Sequence, residues 1–233
     1  MPPNKPLQPT SDVCGRQRRR SRLSGDRYAS KRRHAAGHGG VQLKTSVDSK
    51  TYRLKVTLRG SRPVIWRRVE VDARVTLFQL HQILQIVMGW TDSHLHQFRR
   101  GSTYYGESDP EFGMDRENER RARLREVLRR PKDRMVYEYD FGDGWEHDIV
   151  LEAIGPATGE KLPVRVLAGK CACPPEDVGG LGGYYRFLEA IQNPKHPEHR
   201  EMLEWGGDFD PDAFEIAAIN KYFQKRPRER RDA

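Results

Sequence analysis

The sequence has few cysteines and no long apolar run. Its three cysteines, Cys14, Cys171 and Cys173, are an odd number without the spacing of a disulfide framework. Hydrophobic residues make up 36% of the 233 residues, and no stretch approaches the ~18 consecutive apolar residues of a membrane span. The amino terminus also lacks the apolar core of a secretory signal peptide. These absences predict a cytoplasmic protein without a membrane partner.

Positive charge is concentrated at the two ends of the chain. Residues 1–40 hold ten Lys or Arg and two Asp, whereas residues 41–224 hold 27 basic and 29 acidic side chains. The net charge of +9 therefore belongs to the ends. We predict a disordered basic arm over residues 1–47, one domain over residues 48–224 and a basic tail over residues 225–233.

The arm is the candidate nucleic-acid-binding segment, because clustered arginines attract phosphates in a salt-dependent manner. Its candidate contacts are Arg18, Arg19, Arg20, Arg32 and Arg33. Two other interpretations stay open. The arm is rich in Arg and Ser and poor in acids, as transit segments are. It is otherwise an inert tail, or the product of a start codon assigned too far upstream.

Hydrophobic periodicity predicts the first half of the domain. Apolar and polar residues alternate over residues 52–58, which is typical of a strand with one exposed face, and a turn leads to a second strand over residues 64–71. Residues 76–88 then take a helical period. Thr76 and Gln79 stand in the positions of a capping box, and Gly89 ends the helix.

The second half repeats this arrangement more loosely. A second hairpin is predicted over residues 135–139 and 145–151, followed by helices over residues 184–192 and 211–223, the last with Asp210 as N-cap. Two hairpins with few intervening helices favour an α+β fold. We expect a mainly antiparallel sheet built from hairpins, with the helices packed on one side.

Six segments carry a resemblance to a known family: YRLKVTLRGSRPVIWRRVEV, TLFQLHQILQIVMGW, DSHLHQF, YEYDFGDGWEH, CPPEDVGG and GYYRFLEAI. In their order and spacing the chain resembles the plasmid pRiA4b ORF-3-like family over roughly residues 50–223. The family is also labelled a TnpR-type passenger of insertion sequences. The resemblance therefore implies association with plasmids and mobile elements, but no established activity. Where the family often has a second cysteine after the acidic pair, this chain has Val178.

The segment YEYDFGDGWEH holds the first candidate catalytic residues, Asp140 and His147. Depending on the residues at the centre of the turn, either Asp140 or Glu138 is expected to face His147 across the hairpin. A carboxylate that orients a histidine suits a general base or the surroundings of a metal. The alternative is a buried polar pair that only fixes the hairpin.

Two histidines form the candidate metal site. His94 and His96 are two residues apart, so on a strand both rings would point to one side. Cys171 and Cys173 could complete a four-ligand site. His81 lies on the apolar face of its helix and is interpreted as a core histidine with a satisfied hydrogen bond.

The segment PPEDVGGLGG supplies two further candidate catalytic carboxylates, Glu176 and Asp177. Its glycines would let backbone amides approach a ligand at the start of a helix. The candidate ligand-binding residues are Gly179, Gly180, Gly182 and Gly183. The segment lacks the Lys-Ser/Thr ending of a nucleotide-binding P-loop, and tight-turn packing is the alternative role of the glycines.

Three functions follow from these features. The first is a module that binds nucleic acid or an unknown protein partner, with the arm attracting phosphates. The alternative is a metal-dependent or acid/base hydrolytic enzyme that uses Asp140, His147, Glu176 and Asp177, with a divalent metal as candidate cofactor. The third is an interaction protein with purely structural polar motifs. A pocket joining the acidic motifs to the histidines would favour the enzyme, and a basic stripe across the sheet would favour nucleic acid.

Overall fold

The computed structural model of the chain describes residues 50–107, 115–156 and 164–225. Its strands are β1 (Lys50–Leu58), β2 (Trp66–Asp72), β3 (His96–Arg100), β4 (Thr103–Gly106), β5 (Glu117–Asn118), β6 (Arg134–Tyr139), β7 (Trp145–Pro156) and β8 (Val164–Lys170). Its helices are α1 (Leu77–Met88), α2 (Leu124–Val127), α3 (Gly180–Gln192), α4 (His199–Gly206) and α5 (Ile216–Lys225). The predicted arm with its five candidate arginines, and residues 226–233 of the tail, lie outside the described residues.

The strands form one sheet in the order β5-β4-β3-β6-β7-β1-β2-β8. Both predicted hairpins are present and adjoin each other at its centre, where β7 pairs with β1. Neighbouring strands are antiparallel except for β4 and β5. The predicted α+β class with a mainly antiparallel sheet is therefore confirmed.

Strand alternation gives the central sheet one buried and one charged face. Leu54 and Val56 of β1 are buried with Ile149 of β7. The other face, called here the open face, carries the intervening charged residues. Its closest ion pairs are Arg53–Glu70 (2.9 Å), Arg59–Glu146 (2.7 Å), Arg59–Asp148 (2.7 Å) and Arg68–Glu152 (2.6 Å). Acids thus lie beside bases, and the described part of this face forms no basic stripe.

Helix α1 packs on the buried face of the sheet. Its capping box is confirmed: the Thr76 hydroxyl accepts from the Gln79 N–H (3.2 Å), and the Gln79 side chain accepts from the Thr76 N–H (3.0 Å). Gly89 ends the helix with a φ of 88°. His81 and Gln85 both reach the Tyr137 hydroxyl on β6. These contacts fix where the chain leaves α1 and turns towards β3.

The carboxy-terminal part departs from the sequence prediction. Strand β8 and helix α4 were not predicted, and the predicted helix start at Asp210 is wrong. The Asp210 carboxylate accepts from the Asp212 N–H (2.9 Å) in a local turn, and α5 begins only at Ile216. Between them, the Phe214 ring packs 3.9 Å from the Arg67 guanidinium. This contact depends on residues far apart in sequence, so local pattern does not predict it.

No helix among the described residues combines the length and the apolar content needed to cross a membrane.

Candidate metal centre

Antiparallel pairing brings two distant segments together where β3 begins and β6 ends. His96 pairs with Tyr139, and the Asp140 N–H donates to the Leu95 carbonyl (2.9 Å). His94 lies just before this point on one strand, and Asp140 lies just after it on the other. The two side chains therefore approach each other.

Asp177 completes a three-residue group, called here the His94 group. Its Oδ1 lies 3.0 Å from Nε2 of His94, and Oδ2 of Asp140 lies 3.6 Å from the same nitrogen. His94 Nε2 is buried, yet it makes no hydrogen bond to the described residues. One nitrogen and two carboxylate oxygens within 4.8 Å of one another can hold a metal ion.

Both aspartates of this group adopt left-handed backbone conformations. The φ angle is 56° at Asp140 and 62° at Asp177. Aspartate tolerates this region better than most residues, and such conformations persist where the surroundings enforce them. At Asp140 the side-chain Oδ1 accepts from the Gly142 N–H (2.9 Å), and the carbonyl accepts from the Gly144 N–H (2.7 Å). The turn therefore leaves Oδ2 directed at His94.

Glu176 ties together the segments that carry His94 and Asp177. One of its carboxylate oxygens accepts from the Tyr139 hydroxyl, and the other accepts from the N–H (3.0 Å) and the hydroxyl (2.6 Å) of Thr91. The Tyr139 oxygen also accepts from the Ser93 N–H (3.0 Å). Burial, reinforced by Glu176, raises the pKa of Tyr139. Both carboxylate oxygens of Glu176, expected to be catalytic, are thus engaged by hydrogen bonds from neighbouring segments.

A second group lies beside the first. The rings of His81 and His96 stack with centroids 3.4 Å apart and planes 2° from parallel. Nε2 of His81 is 2.7 Å from Asp92, and Nε2 of His96 is 2.8 Å from Glu119. Sequence reasoning missed both carboxylates, because the pairing depends on how β5 and the segment after α1 approach β3.

His81 is a buried histidine with two hydrogen bonds, as predicted from its helix face. The Tyr137 hydroxyl accepts from the Gln85 amide (3.0 Å) and is hydrogen-bonded to His81 Nδ1 (2.8 Å). Burial, with a smaller contribution from His96, lowers the pKa of His81. Burial therefore disfavours the protonated ring.

The expected pairing of His147 with a carboxylate is wrong. The turn spans residues 140–144, so Tyr137 faces His147 and Glu138 faces Glu146. A register change of one residue moves side chains to the opposite face of a sheet. Glu138 consequently lies on the open face, where the Gln97 amide donates to it (2.6 Å).

His147 itself lies in the core. Its side chain is fully buried beside the rings of Trp90 and Tyr137, and neither nitrogen hydrogen-bonds to a described residue. Burial lowers its pKa to about 4, against a weaker opposing effect of nearby backbone at Tyr137 and Trp145. The structure thus separates His147 from the other three predicted catalytic residues.

The predicted metal ligands are also divided. His94 belongs with Asp140 and Asp177, whereas His96 belongs with His81 and Asp92. The reason is that β3 begins at His96, so strand alternation does not extend back to His94. Neither group of described residues contains a cysteine. Cys173 instead contacts Met88 (3.1 Å) and accepts from Arg67 (3.3 Å), so a combined Cys and His site is wrong.

The glycines around the start of α3 pack tightly against protein. A Cβ atom at Gly180 would lie 2.6 Å from the Asp143 carbonyl oxygen, and one at Gly183 would overlap the Val178 carbonyl. The Gly179 N–H donates to the Asp143 carboxylate (3.2 Å). At Gly182, no described residue beyond the adjacent part of its own helix lies within 4 Å of such a Cβ. Close packing therefore accounts for Gly180 and Gly183, and it fixes the turn at 140–144 against the segment that holds Asp177.

Residues of both groups border one cleft of about 580 Å³. Its lining includes all three histidines of the two groups and the carboxylates of Asp92 and Glu119. Arg116 and Arg120 lie on the same lining. The volume falls within the usual range of small-molecule sites.

Comparison with known proteins identifies the family. Residues 50–218 match the family described as plasmid pRiA4b ORF-3-like protein. Uncharacterized protein y4hQ of Sinorhizobium fredii (strain NBRC 101917 / NGR234) is 44% identical over 172 residues, which are 72% of this chain and 88% of that protein. The crystal structure of a protein of unknown function, MM3350 from Methanosarcina mazei Go1, is similar with a TM-score of 0.67 and 33% identity, covering 74% of this chain and 98% of that chain. The chain therefore belongs to the plasmid pRiA4b ORF-3-like family.

Proposed function

We propose that this protein is a metal-dependent hydrolytic enzyme whose divalent cation is held by His94, Asp140 and Asp177. The observation that carries the proposal is the buried Nε2 of His94. It lies 3.0 Å from Asp177 and 3.6 Å from Asp140 without forming a hydrogen bond. A cation between these atoms would give the nitrogen a partner and neutralise two close carboxylates.

The donor set suits a catalytic cation. One imidazole and two carboxylates favour borderline or hard divalent metals such as Zn²⁺ and Mn²⁺. Three protein ligands leave positions for water and substrate, as in catalytic rather than structural sites. When bound, such a cation supplies a nucleophile by lowering the pKa of water, and it polarises the bond to be cleaved.

The chain supplies the positioning. Glu176, held by Tyr139 and Thr91, fixes the neighbouring Asp177 relative to the segment that carries His94. The Asp177 side chain is 70% exposed, whereas that of Asp140 is 10% exposed. One ligand is thus anchored in the hairpin turn, and the other faces the solvent from which a substrate arrives.

A module that binds nucleic acid or protein is the second candidate. Its support is the charge of the arm, ten basic against two acidic side chains over residues 1–40, together with the mobile-element association and cytoplasmic location expected above. The described residues of the open face add no basic stripe to it. DNA binding at increasing salt would measure the contribution of the arm, since phosphate contacts weaken as salt rises.

The cation site is tested by calorimetric titration of Zn²⁺ and Mn²⁺ into the chelator-treated full-length protein. We expect one cation per chain at the His94 group, and an affinity at least roughly 100-fold lower in Asp177→Asn, because losing a ligand costs more than losing an outer partner. Asparagine tolerates the left-handed backbone at this exposed position. Cation-dependent ester hydrolysis should fall with the affinity.

Asp212→Asn is the matched control, because Asp212 is exposed and lies outside both candidate metal groups. It should bind the cation like the unmodified chain. Equal affinity in Asp177→Asn and the unmodified chain, or the absence of saturable binding, would contradict the proposal. His94→Ala is a second variant for the same calorimetric titration, and circular dichroism verifies that it keeps the fold.

A further inference from the structure

Two arginines share the cleft with His94. Arg116 and Arg120 lie on the lining, on either side of the short strand β5. Arg120 places its guanidinium 3.6 Å from the centre of the Phe78 ring, at the first turn of α1. The Arg116 guanidinium lies 5.4 Å from the Phe141 ring and donates to the Glu107 carbonyl (3.1 Å). Aromatic rings therefore orient both guanidinium groups.

Arg120 differs from the arginines of the open face. Arg59 and Arg68 are neutralised by carboxylates at 2.6–2.7 Å. Arg120 forms no ion pair with any described residue, although Glu119 is its neighbour in sequence. The Glu119 carboxylate is instead paired with His96. The charge of Arg120 therefore remains available to a ligand in the cleft.

The combination of a guanidinium with a cation site favours one substrate class. A guanidinium offers paired donors that match the oxygens of a phosphate. Phosphoryl transfer develops charge on the phosphate oxygens, and both arginine and metal ions stabilise that charge. A neutral ester or amide offers no anionic group to a guanidinium. A site for neutral esters or amides would therefore gain less binding energy from Arg120.

We infer that the cleft takes a phosphate ester, with Arg120 binding its non-bridging oxygens beside the His94 group. This inference rests on the proposed function and names its substrate class. One water molecule is consumed: its oxygen bonds to phosphorus, and the ester P–O bond breaks. The leaving oxygen takes up one proton, and the proton lost by the water balances the reaction. The products are an alcohol and a phosphate with one ester group fewer.

The experiment compares Arg120→Gln with Arg121→Gln in the metal-loaded full-length chain. Arg121 is the exposed neighbour and does not line the cleft, so it controls for general surface charge. For bis(p-nitrophenyl) phosphate we expect Arg120→Gln to raise KM by roughly 10- to 100-fold, the range for a lost charge-assisted hydrogen bond. Hydrolysis of p-nitrophenyl acetate should change less than about 2-fold, because this ester carries no charge for the guanidinium to bind.

Calorimetric titration with inorganic phosphate gives a readout independent of turnover. Arg120→Gln should weaken phosphate binding, and Arg121→Gln should leave it unchanged. Equal phosphate affinity in both variants, or an equal loss for the two p-nitrophenyl substrates, would overturn the inference. Normal cation binding in Arg120→Gln would show that the proposed function survives such a result. If the unmodified chain binds no cation in the titration described above, the proposed function itself is contradicted, and the inference about its substrate class falls with it.

Discussion

The two faces of the sheet use polar residues in opposite ways. On the open face, carboxylates lie beside arginines, as in Arg68–Glu152, and both side chains remain partly exposed at 32% and 25%. On the buried face, polar side chains lie among apolar ones, and His147 has no hydrogen-bond partner among the described residues. Water screens the first kind of group, whereas the second kind meets the full cost of losing its hydration.

The cleft lies where the buried face reaches solvent. His94 lines the cleft, and Asp140 lies 3.6 Å from it at the end of the adjacent strand, so the pair combines the close approach of core residues with access through His94. Partly buried polar groups interact more strongly than polar groups on a fully solvated surface, because the effective dielectric constant is lower. Water and ligands can still reach them. The comparison therefore predicts how strongly substitutions change stability or cation affinity. The change should be large for residues beneath the sheet, intermediate for residues near the cleft and small for residues on the open face.

The largest effect is expected at His147. Its pKa is about 4 in the folded chain and ordinarily about 6.5 in an unfolded one. The unfolded state therefore binds protons first as the pH falls. The stability due to the neutral ring is complete above pH 6.5 and is lost towards pH 4. The loss is about 3 kcal/mol, from ~1.4 kcal/mol per pKa unit.

Urea unfolding of the unmodified chain and of His147→Leu from pH 7 to pH 4 measures this term. The difference in free energy of unfolding between the two should shift by about 3 kcal/mol in favour of the variant. Carboxylates that titrate in the same pH range are present in both proteins, so their contributions cancel in the difference between the two free energies of unfolding. Parallel pH curves would show that His147 is hydrated. His147→Asn serves as a second core variant if leucine is not accommodated.

His147 also shows why part of the site was not predictable. Alternation in YEYDFGDGWEH correctly predicts the hairpin, but the partner of His147 depends on where the turn is centred. A shift of one residue exchanges Glu138 for Tyr137. The capping box at Thr76 was predictable because it involves neighbouring residues. The three-residue group at His94 was not, since Asp177 arrives by packing of α3 against the hairpin turn.

An intermediate effect is expected at Glu176. Both of its oxygens accept hydrogen bonds, from Tyr139 and from Thr91. In Glu176→Gln, a single uncharged oxygen replaces the two carboxylate oxygens that accept from Tyr139 and Thr91, so the tie between the two segments weakens. We expect cation affinity at the His94 group to fall roughly 10- to 100-fold, the range for residues that orient metal ligands. Calorimetry measures the affinity.

Glu189→Gln is the control for the removal of one carboxylate charge, since Glu189 lies exposed on α3. Hydrogen exchange at the Thr91 amide supplies a readout that does not depend on metal. Exchange should accelerate in Glu176→Gln and stay unchanged in Glu189→Gln. A slow Thr91 amide in both variants would show that Glu176 does not hold the segment.

The smallest effect is expected for Arg53 and Glu70 on the open face. Their side chains are 45% and 20% exposed at a separation of 2.9 Å. A double-mutant cycle with Arg53→Ala and Glu70→Ala should give a coupling of only ~0.2–1 kcal/mol, and 1 M salt should reduce it. The more buried Arg68–Glu152 pair, with two hydrogen bonds, should couple more strongly. A salt-insensitive coupling above roughly 2 kcal/mol for Arg53–Glu70 would mean that this face is shielded from solvent. The contrast between the two faces would then fail, since the open face would itself be an interface.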